Sequence, residues 1–170
     1  MSTFIYSQNN LNQIELKSLT ISGNTLIFPQ KQISCFEKTV GKLNENENND
    51  EIVPFINKVN GKILENEKIS IYLVNEKGYI KYIDLEKSNL TIHYKKTIKL
   101  SSSTTREDFK KIFSKSYNSP SYIPGTSLEN AVGYTVLITA GKKKAYANFT
   151  FYYNHLASVS VSDRYSKITD

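Results

Sequence analysis

The sequence holds few of the residues on which catalytic and cross-linked proteins depend. Its 170 residues include one cysteine, two histidines and no tryptophan. A single cysteine excludes an intramolecular disulfide framework and any zinc site built from cysteine pairs. No run approaches the roughly 18 apolar residues of a transmembrane helix. The first residues also lack the basic and apolar segments of a secretory signal, so we expect a cytoplasmic protein without membrane contact.

The residues that could support catalysis are scattered along the chain. His93 falls in a predicted strand and His155 in a predicted turn, and neither has a metal-ligand partner two or four residues away. Cys35 lies on the apolar stripe of a predicted helix, where we expect it to be buried as a small apolar residue. Glu107 and Asp108 fall in a predicted first helical turn, where carboxylates complement the helix dipole. We therefore predict no metal, no cofactor and no enzymatic activity.

The chain does have the apolar content and length of one folded domain. Apolar residues make up 39% of the sequence, and 12 of its residues are tyrosines. The net charge of +6 is uneven, because residues 1–85 carry −1 and residues 86–170 carry +7. This asymmetry is compatible with a solvated lysine-rich surface or with an anionic partner of the second half.

The first half predicts a hairpin, a helix and a second pair of strands. Apolar residues alternate on both sides of residues 22–24, which indicates a β-hairpin. Ser34 precedes Glu37 by three residues, which is the spacing of a capping box, and an apolar stripe accompanies it. Residues 44–51 are polar and acidic and predict a loop. A strand pair follows at residues 69–73 and 79–85, with a turn at 75–78.

The second half repeats this order of elements. Residues 90–100 predict a hairpin, and Thr104 precedes Glu107 by capping-box spacing. Phe109 and Phe113 form the apolar stripe of the helix that follows. The remaining elements are a loop at 116–130 and strands at 134–139, 145–153 and 156–162, the last with an irregularity near Ala157.

These patterns predict an α+β fold. We expect a mostly antiparallel sheet with two short helices, produced by tandem duplication of a ββαββ unit. The predicted organisation is an N-terminal arm at 1–15, a first repeat at 16–86 and a second repeat at 87–170. One such unit has little core, so the two repeats are expected to pack together as one globular domain.

The best candidates for partner binding lie in the second half. Tyr117 and Tyr122 flank a proline-containing loop, and tyrosine is enriched at protein interfaces. The candidate binding residues are Tyr117, Tyr122, Lys142, Lys143, Lys144 and Tyr146. The lysines leave a second interpretation open, in which a basic surface binds nucleic acid or another polyanion, although no nucleic-acid-binding motif is present.

Three segments carry a resemblance to a known class of proteins. They are LTISGNTLIFP at 19–29, FEKTVGK at 36–42 and ISIYLVNEKGYIKYIDL at 69–85. Their succession resembles small bacterial immunity-type proteins, and the twofold layout is similar to β-lactamase-inhibitor-like proteins. The resemblance implies a non-enzymatic binder that neutralises a cognate toxin. The alternative is a structural or assembly protein that uses its sheet edges.

Overall fold

The computed structural model describes residues 10–56, 58–123, 125–127 and 130–165. Within these residues the chain forms thirteen strands and four short helices. The strands are β1 (Gln13–Glu15), β2 (Leu19–Ile21), β3 (Ile27–Pro29), β4 (Asn44–Val53), β5 (Lys58–Glu65), β6 (Ile69–Val74), β7 (Lys77–Asp84), β8 (Ile92–Tyr94), β9 (Ile98–Leu100), β10 (Pro120–Tyr122), β11 (Ala131–Ala140), β12 (Lys143–Tyr152) and β13 (His155–Ser162). The helices are α1 (Ile33–Val40), α2 (Leu85–Ser88), α3 (Arg106–Ile112) and α4 (Ser114–Tyr117).

Ten of these strands form one large mixed sheet. Its path runs β1-β11-β12-β13-β7-β6-β5-β4, with β10 also paired to β11 and β3 also paired to β7. Neighbours on the path are antiparallel except β1, which runs parallel to β11. The chain builds most of this sheet as two meanders, β4–β7 and β10–β13, whose last strands pair with each other.

A second layer covers one face of the large sheet. It consists of the small sheet β2-β8-β9 and the helices. Helix α3 inserts Phe109, whose ring lies 5.3 Å from the ring of Tyr134 and 5.2 Å from that of Phe149. Helix α1 inserts Phe36, 4.9 Å from the ring of Phe28. Both inserted rings are fully buried, which confirms the predicted apolar stripe of α3 and part of the one predicted for α1.

Two of the predicted hairpins are confirmed, and their turns share one geometry. Asn75 and Glu76 join β6 to β7 with φ of 50° and 59°, and Lys95 and Lys96 join β8 to β9 with φ of 49° and 66°. Positive φ at both central residues is the type I′ arrangement, whose twist matches that of the flanking strands. The turn geometry therefore fixes the register of these two strand pairs.

The predicted fold class is wrong. In place of an antiparallel sheet with two helices, the structure has a ten-stranded mixed sheet, in which β1 is parallel to β11, and, in the described residues, four short helices. The expected ββαββ duplication also fails, since β2 leaves the first predicted unit and pairs with β8 of the second. The predicted division of the chain into an arm at 1–15 and units at 16–86 and 87–170 stays a prediction.

The predicted hairpin around residues 22–24 does not form. The backbone turns tightly there, with hydrogen bonds between Ile21 and Asn24, but β2 and β3 then join different sheets. Each strand has only three residues, and an isolated two-stranded hairpin of that size is marginally stable. Each strand gains more by adding to a larger sheet, β2 to β8 and β3 to β7.

The predicted polar loop at residues 44–51 is also wrong. This segment belongs to β4, which pairs with β5 at the edge of the large sheet. An edge strand has solvent along one side, so its composition can be polar without the apolar alternation that signals a strand. A polar edge also discourages pairing with another chain.

The local prediction for α1 fails at two positions. Cys35 is exposed, and the helix buries Ile33, Phe36 and Val40 instead. Ser34 does not cap the helix, because a 3-10 turn at Gln30–Gln32 leads directly into it and places Ser34 inside the first turn.

In α3 the predicted capping box is present but shifted by one residue. Thr105 and Asp108 form it, rather than Thr104 and Glu107. The prediction that a capping box begins this helix is therefore confirmed, but the box lies one residue later than predicted.

Candidate functional site: the outer face of the large sheet

The large sheet has two chemically different faces. Successive side chains of a strand point to opposite faces. On β11, Val132, Tyr134, Val136 and Ile138 belong to the core under the helices. The residues between them lie on the opposite, outer face. All four helices contribute their apolar side chains to the core, so no helix of the described residues covers this outer face.

Polar side chains form a continuous row across the outer face. The strand registers place Thr135 opposite Asn148, Asn148 opposite Ser160, Ser160 opposite Tyr82, and Tyr82 opposite Ser70. The next row contains Thr150 and Ser158, again directly opposite each other. Together with Tyr152 these residues form what we call the polar strip: Ser70, Tyr82, Thr135, Asn148, Thr150, Tyr152, Ser158 and Ser160.

Side-chain hydrogen bonds connect the strip to its surroundings. The Thr135 hydroxyl donates to Asn148 Oδ1 at 3.5 Å, and the Ser70 hydroxyl donates to Glu65 Oε2 at 3.0 Å. Asn46 Nδ2 donates to the other oxygen of Glu65 at 2.9 Å. These bonds hold the polar groups in fixed positions on a sheet that is itself hydrogen-bonded.

Tyr82 lies at the centre of the strip. Burial raises the pKa of its hydroxyl, and a hydrogen bond with Ser158 lowers that pKa by a smaller amount. The negative charge of Asp84 and the neighbouring Tyr152 also raise the pKa. Tyr82 therefore stays neutral at physiological pH and can donate or accept a hydrogen bond.

A glycine makes room for the amide in the strip. A Cβ atom at Gly133 would lie 2.9 Å from Asn148 Oδ1, closer than real Cβ contacts. The absence of a side chain on Gly133 thus lets the Asn148 amide lie over the neighbouring strand. Any larger residue at position 133 would displace the amide from the row.

Two β-bulges shape the outer face. Ala157 is the extra residue opposite the step from Thr150 to Phe151, which confirms the irregularity predicted near it. Lys81 is the extra residue on β7, and its Nζ lies 5.4 Å from the ring centre of Tyr72. Bulges increase the local twist of a strand and redirect its side chains. The bulge at Lys81 accordingly places the Lys81 ammonium over the ring of Tyr72.

Small apolar clusters bound the strip on both sides. Towards β11, Leu137 and Tyr146 pack with Leu11, and the Tyr165 ring lies 5.7 Å from that of Tyr146. Towards β5 and β6, a second cluster is buried on the same face: Val53, Ile63, Tyr72, Val74 and Tyr79. The strip is therefore a polar surface between two apolar borders.

The structure does not bring the predicted binding residues together. Tyr122 pairs with Val132 near the start of β11, whereas Lys143 pairs with Ala140 at its end. Eight residues of strand separate these positions, or roughly 26 Å. Binding of a partner by Tyr122 and by the lysines of the β11–β12 hairpin stays a prediction. The two groups would form two separate sites and not one.

The two other predicted tyrosines are engaged in packing. The Tyr117 ring stacks on Tyr134 at 4.9 Å, with Lys110 Nζ 5.3 Å from its centre. Tyr146 is buried in the apolar border of the strip. Sequence reasoning missed the strip itself, although the alternation Ser158, Ser160, Ser162 with valines between them signals a strand with one polar face.

No group of three or more His, Cys, Asp or Glu side chains among the described residues could hold a metal ion. An open cleft of about 600 Å³ lies beside α1, lined partly by Lys31, Glu37 and Glu76. Glu37 accepts a hydrogen bond from the backbone N–H of Leu43 at 3.1 Å, a structural role. None of the described helices is both long and apolar enough to span a bilayer.

No protein-family model matches the chain, and no curated protein or solved structure gives a significant match.

Proposed function

We propose that this chain is a non-enzymatic protein-binding module whose partner docks on the polar strip. The observation that carries the proposal is the strip itself. Eight uncharged hydroxyl, amide and phenol side chains lie in register across neighbouring strands, on the sheet face that the helices leave open.

The composition of the strip suits protein recognition. Antibody binding surfaces are enriched in tyrosine, serine and asparagine. Tyrosine supplies contact area at low entropic cost, and the small polar residues supply adaptable hydrogen bonds. Tyr152, which is 41% exposed, and the partly exposed Tyr82 would supply the area in this strip. The hydrogen bonds would come from the partly exposed members of the strip: Asn148, Thr150, Ser158 and Ser160. Ser70 and Thr135 are buried and complete the row without reaching the partner.

The dimensions of the strip fit the centre of an interface. Its main row crosses five neighbouring strands, and neighbouring strands lie about 4.8 Å apart, so the row is roughly 19 Å long. A standard interface covers about 800 Å² on each partner. The strip supplies the central part of such an area.

The charge of the strip favours a protein over a polyanion at this face. Binding to nucleic acid draws most of its affinity from lysine and arginine contacts to phosphates. All eight side chains of the strip are uncharged. The toxin-neutralising role implied by the sequence resemblance is one form of the protein binding proposed here.

A photo-crosslinking experiment tests the location of the partner. A photoreactive phenylalanine analogue replaces Tyr152 in one version of the full chain and the exposed Lys38 of α1, next to β5 and β6, in another. We expect one specific protein adduct in cells from position 152 and none from position 38. Equal adducts from both positions, or none from position 152, would contradict docking on the strip.

A binding measurement on the captured, purified partner then tests the strip directly. Ser160→Arg places a large charged group in the centre of the row, and Tyr152→Ala removes exposed contact area. We expect each to weaken binding at least tenfold, whereas the control Ser103→Arg, in an exposed loop, leaves it unchanged. Circular dichroism confirms that each variant is folded. Unaltered binding by both strip variants would refute the proposal.

The toxin-neutralising form has its own test. The protein encoded next to this chain is expressed alone and together with it, and growth is measured. Growth arrest by the neighbour, relieved by the wild-type chain but not by Ser160→Arg, supports neutralisation. A harmless neighbour contradicts the toxin-neutralising role but leaves the docking surface to be judged by the binding measurement.

A further inference from the structure

The fold brings two lysine-rich turns together at one end of the molecule. The turn between β8 and β9 contains Lys95 and Lys96, and the turn between β11 and β12 leads from Gly141 into three lysines. Nearly fifty residues of sequence separate the two turns. Both flank the same short segment, a 3-10 turn at Leu16–Ser18.

Backbone contacts establish this convergence. The Lys95 N–H donates to the carbonyl of Ser18 at 2.9 Å. On the other side, Glu15 is the register partner of Thr139, two residues before the second turn. An open cleft of about 460 Å³ lies between this segment and the end of β11. It is lined by Glu15, Leu16, Lys17, Thr139, Ala140 and Gly141.

The charge at this end, which we call the basic end, is strongly positive. It comprises six exposed lysines: Lys17, Lys95, Lys96, Lys142, Lys143 and Lys144. Glu15 opposes them and pairs with Lys17 at 2.9 Å, which raises the pKa of that lysine. Within the described part of the chain, Lys96, Lys142 and Lys143 form no ion pair with a carboxylate.

We propose that the basic end binds the phosphate backbone of nucleic acid without reading its sequence. Lysines are point charges that suit phosphate, and nucleic-acid interfaces are far more positive than protein interfaces. Protein interfaces, in contrast, are depleted in lysine and centred on aromatic residues. The two turns consist of lysines with Gly141 and carry no apolar side chain that could insert into a lipid surface.

The conformation of the first turn supplies a second argument. Lys95 and Lys96 both have positive φ, where asparagine and glycine are usual. Lysine at these positions works against the local backbone preference. In this site the lysine pair adds charge beside the Leu16–Ser18 segment that both turns flank.

The salt dependence of binding tests the proposal. The full chain is titrated with a fluorescent 20-base-pair DNA duplex between 50 and 200 mM salt, in parallel with an RNA duplex and a single strand to compare the sources of phosphate. We expect Lys142→Gln with Lys143→Gln to weaken duplex binding about tenfold at low salt. The logarithm of the binding constant falls linearly with the logarithm of the salt concentration. We also expect the magnitude of this slope to fall by about 2, roughly one for each lysine lost.

A matched control removes the same charge elsewhere. Lys38→Gln with Lys42→Gln alters the end of α1, which lies over β5 and β6, about 24 Å across the sheet from β11. This pair should leave the slope unchanged. Equal loss of affinity in both double variants would overturn the proposal, because net charge alone would then account for binding.

A third variant separates binding from folding. Lys95→Asn with Lys96→Gly gives the turn its preferred residues, so we expect a higher melting temperature together with weaker duplex binding.

Two further probes are polyglutamate and vesicles of anionic lipid. Binding to either of them as tight as to the duplex would overturn the nucleic-acid assignment, and so would no binding to any duplex or single strand at 50 mM salt.

Discussion

Tyr134 occupies the centre of an aromatic cluster that joins two helices to the large sheet. Its ring stacks on Tyr117 and Phe109 with interplanar angles of 19° and 23° and meets Phe151 edge-on. Burial raises the pKa of Tyr134 to about 12, and the neighbouring Tyr117 hydroxyl contributes. The folded state therefore disfavours ionisation of this phenol.

This shift predicts a loss of stability at alkaline pH. An unfolded tyrosine ionises near pH 10, so the contribution of Tyr134 is complete below pH 10 and declines as pH rises through 12. Tyr134→Phe keeps the ring and removes the ionisable group, so its free energy of unfolding should fall less between pH 9 and 11, by about 1 kcal/mol. Urea unfolding at several pH values measures this difference.

The control for this prediction is Tyr153→Phe, because Tyr153 is 74% exposed. It should reproduce the wild-type decline. Part of the decline persists even in Tyr134→Phe, since burial also raises the pKa of Tyr79 and Tyr82. A Tyr134→Phe curve parallel to wild type would show that this phenol ionises equally in both states.

Among the elements, α3 depends most on its cap. It has only seven residues, yet it carries Phe109 into the core. Thr105 Oγ1 accepts a hydrogen bond from the Asp108 N–H at 3.2 Å, and Asp108 Oδ2 accepts one from the Thr105 N–H at 3.3 Å. The hydrogen bonds from Thr105 hold the pKa of Asp108 below its ordinary value.

We expect Thr105→Ala to lower the free energy of unfolding by about 1 kcal/mol, because it removes one partner of the capping box. Thr105→Ser should restore most of the loss. Ser34→Ala is the matched control, since Ser34 has capping-box spacing in the sequence but lies inside α1, and its effect should stay within about 0.5 kcal/mol. Urea unfolding with equal losses at both sites would contradict a specific cap.

The elements that could be predicted are those whose signals are local. The turns at Asn75–Glu76 and Lys95–Lys96, the burial of Phe109 and the bulge at Ala157 all follow from short patterns of polarity and turn residues. The exposed edge strand β4 could not be predicted, because solvent on one side removes the apolar alternation. The strand with which a three-residue strand such as β2 pairs is set by residues far away in the chain. The alternation of apolar and polar residues within β2 carries no information about that partner.

The same limit applies to the candidate site. The alternation in β13 predicts a polar face for one strand, but the strip exists because five strands from both halves align their polar positions. Likewise, the lysines at 95–96 and 142–144 were visible in the sequence. Their convergence on Leu16–Ser18 is a property of the fold.

At the scale of the whole molecule, pairings across the chain tie the two halves into one unit. β2 pairs with β8, β7 with β13, and β1 with β11. Each pairing joins a strand before residue 86 to one after it. Most of the buried apolar residues of both halves also belong to one hydrophobic cluster.

We therefore expect neither half to fold alone. Fragments 1–86 and 87–170, separated at the predicted repeat boundary, should each give a poorly dispersed NMR spectrum. Mixing them should restore dispersion, because the interrupted pairings can then form between fragments. A cooperative thermal transition in either isolated fragment would contradict this expectation and support an independently folding repeat.

The parallel strand β1 also has a consequence for the order of events during synthesis. Gln13 is the register partner of Leu137, 124 residues later. At a translation rate of about 5–20 residues per second, β1 waits roughly 6–25 seconds on the ribosome before its partner is made. β1 is thus synthesised early but is among the last of the described strands to form its pairing. A nascent-chain chaperone would have to shield Ile14, which is buried in the finished core, throughout that interval.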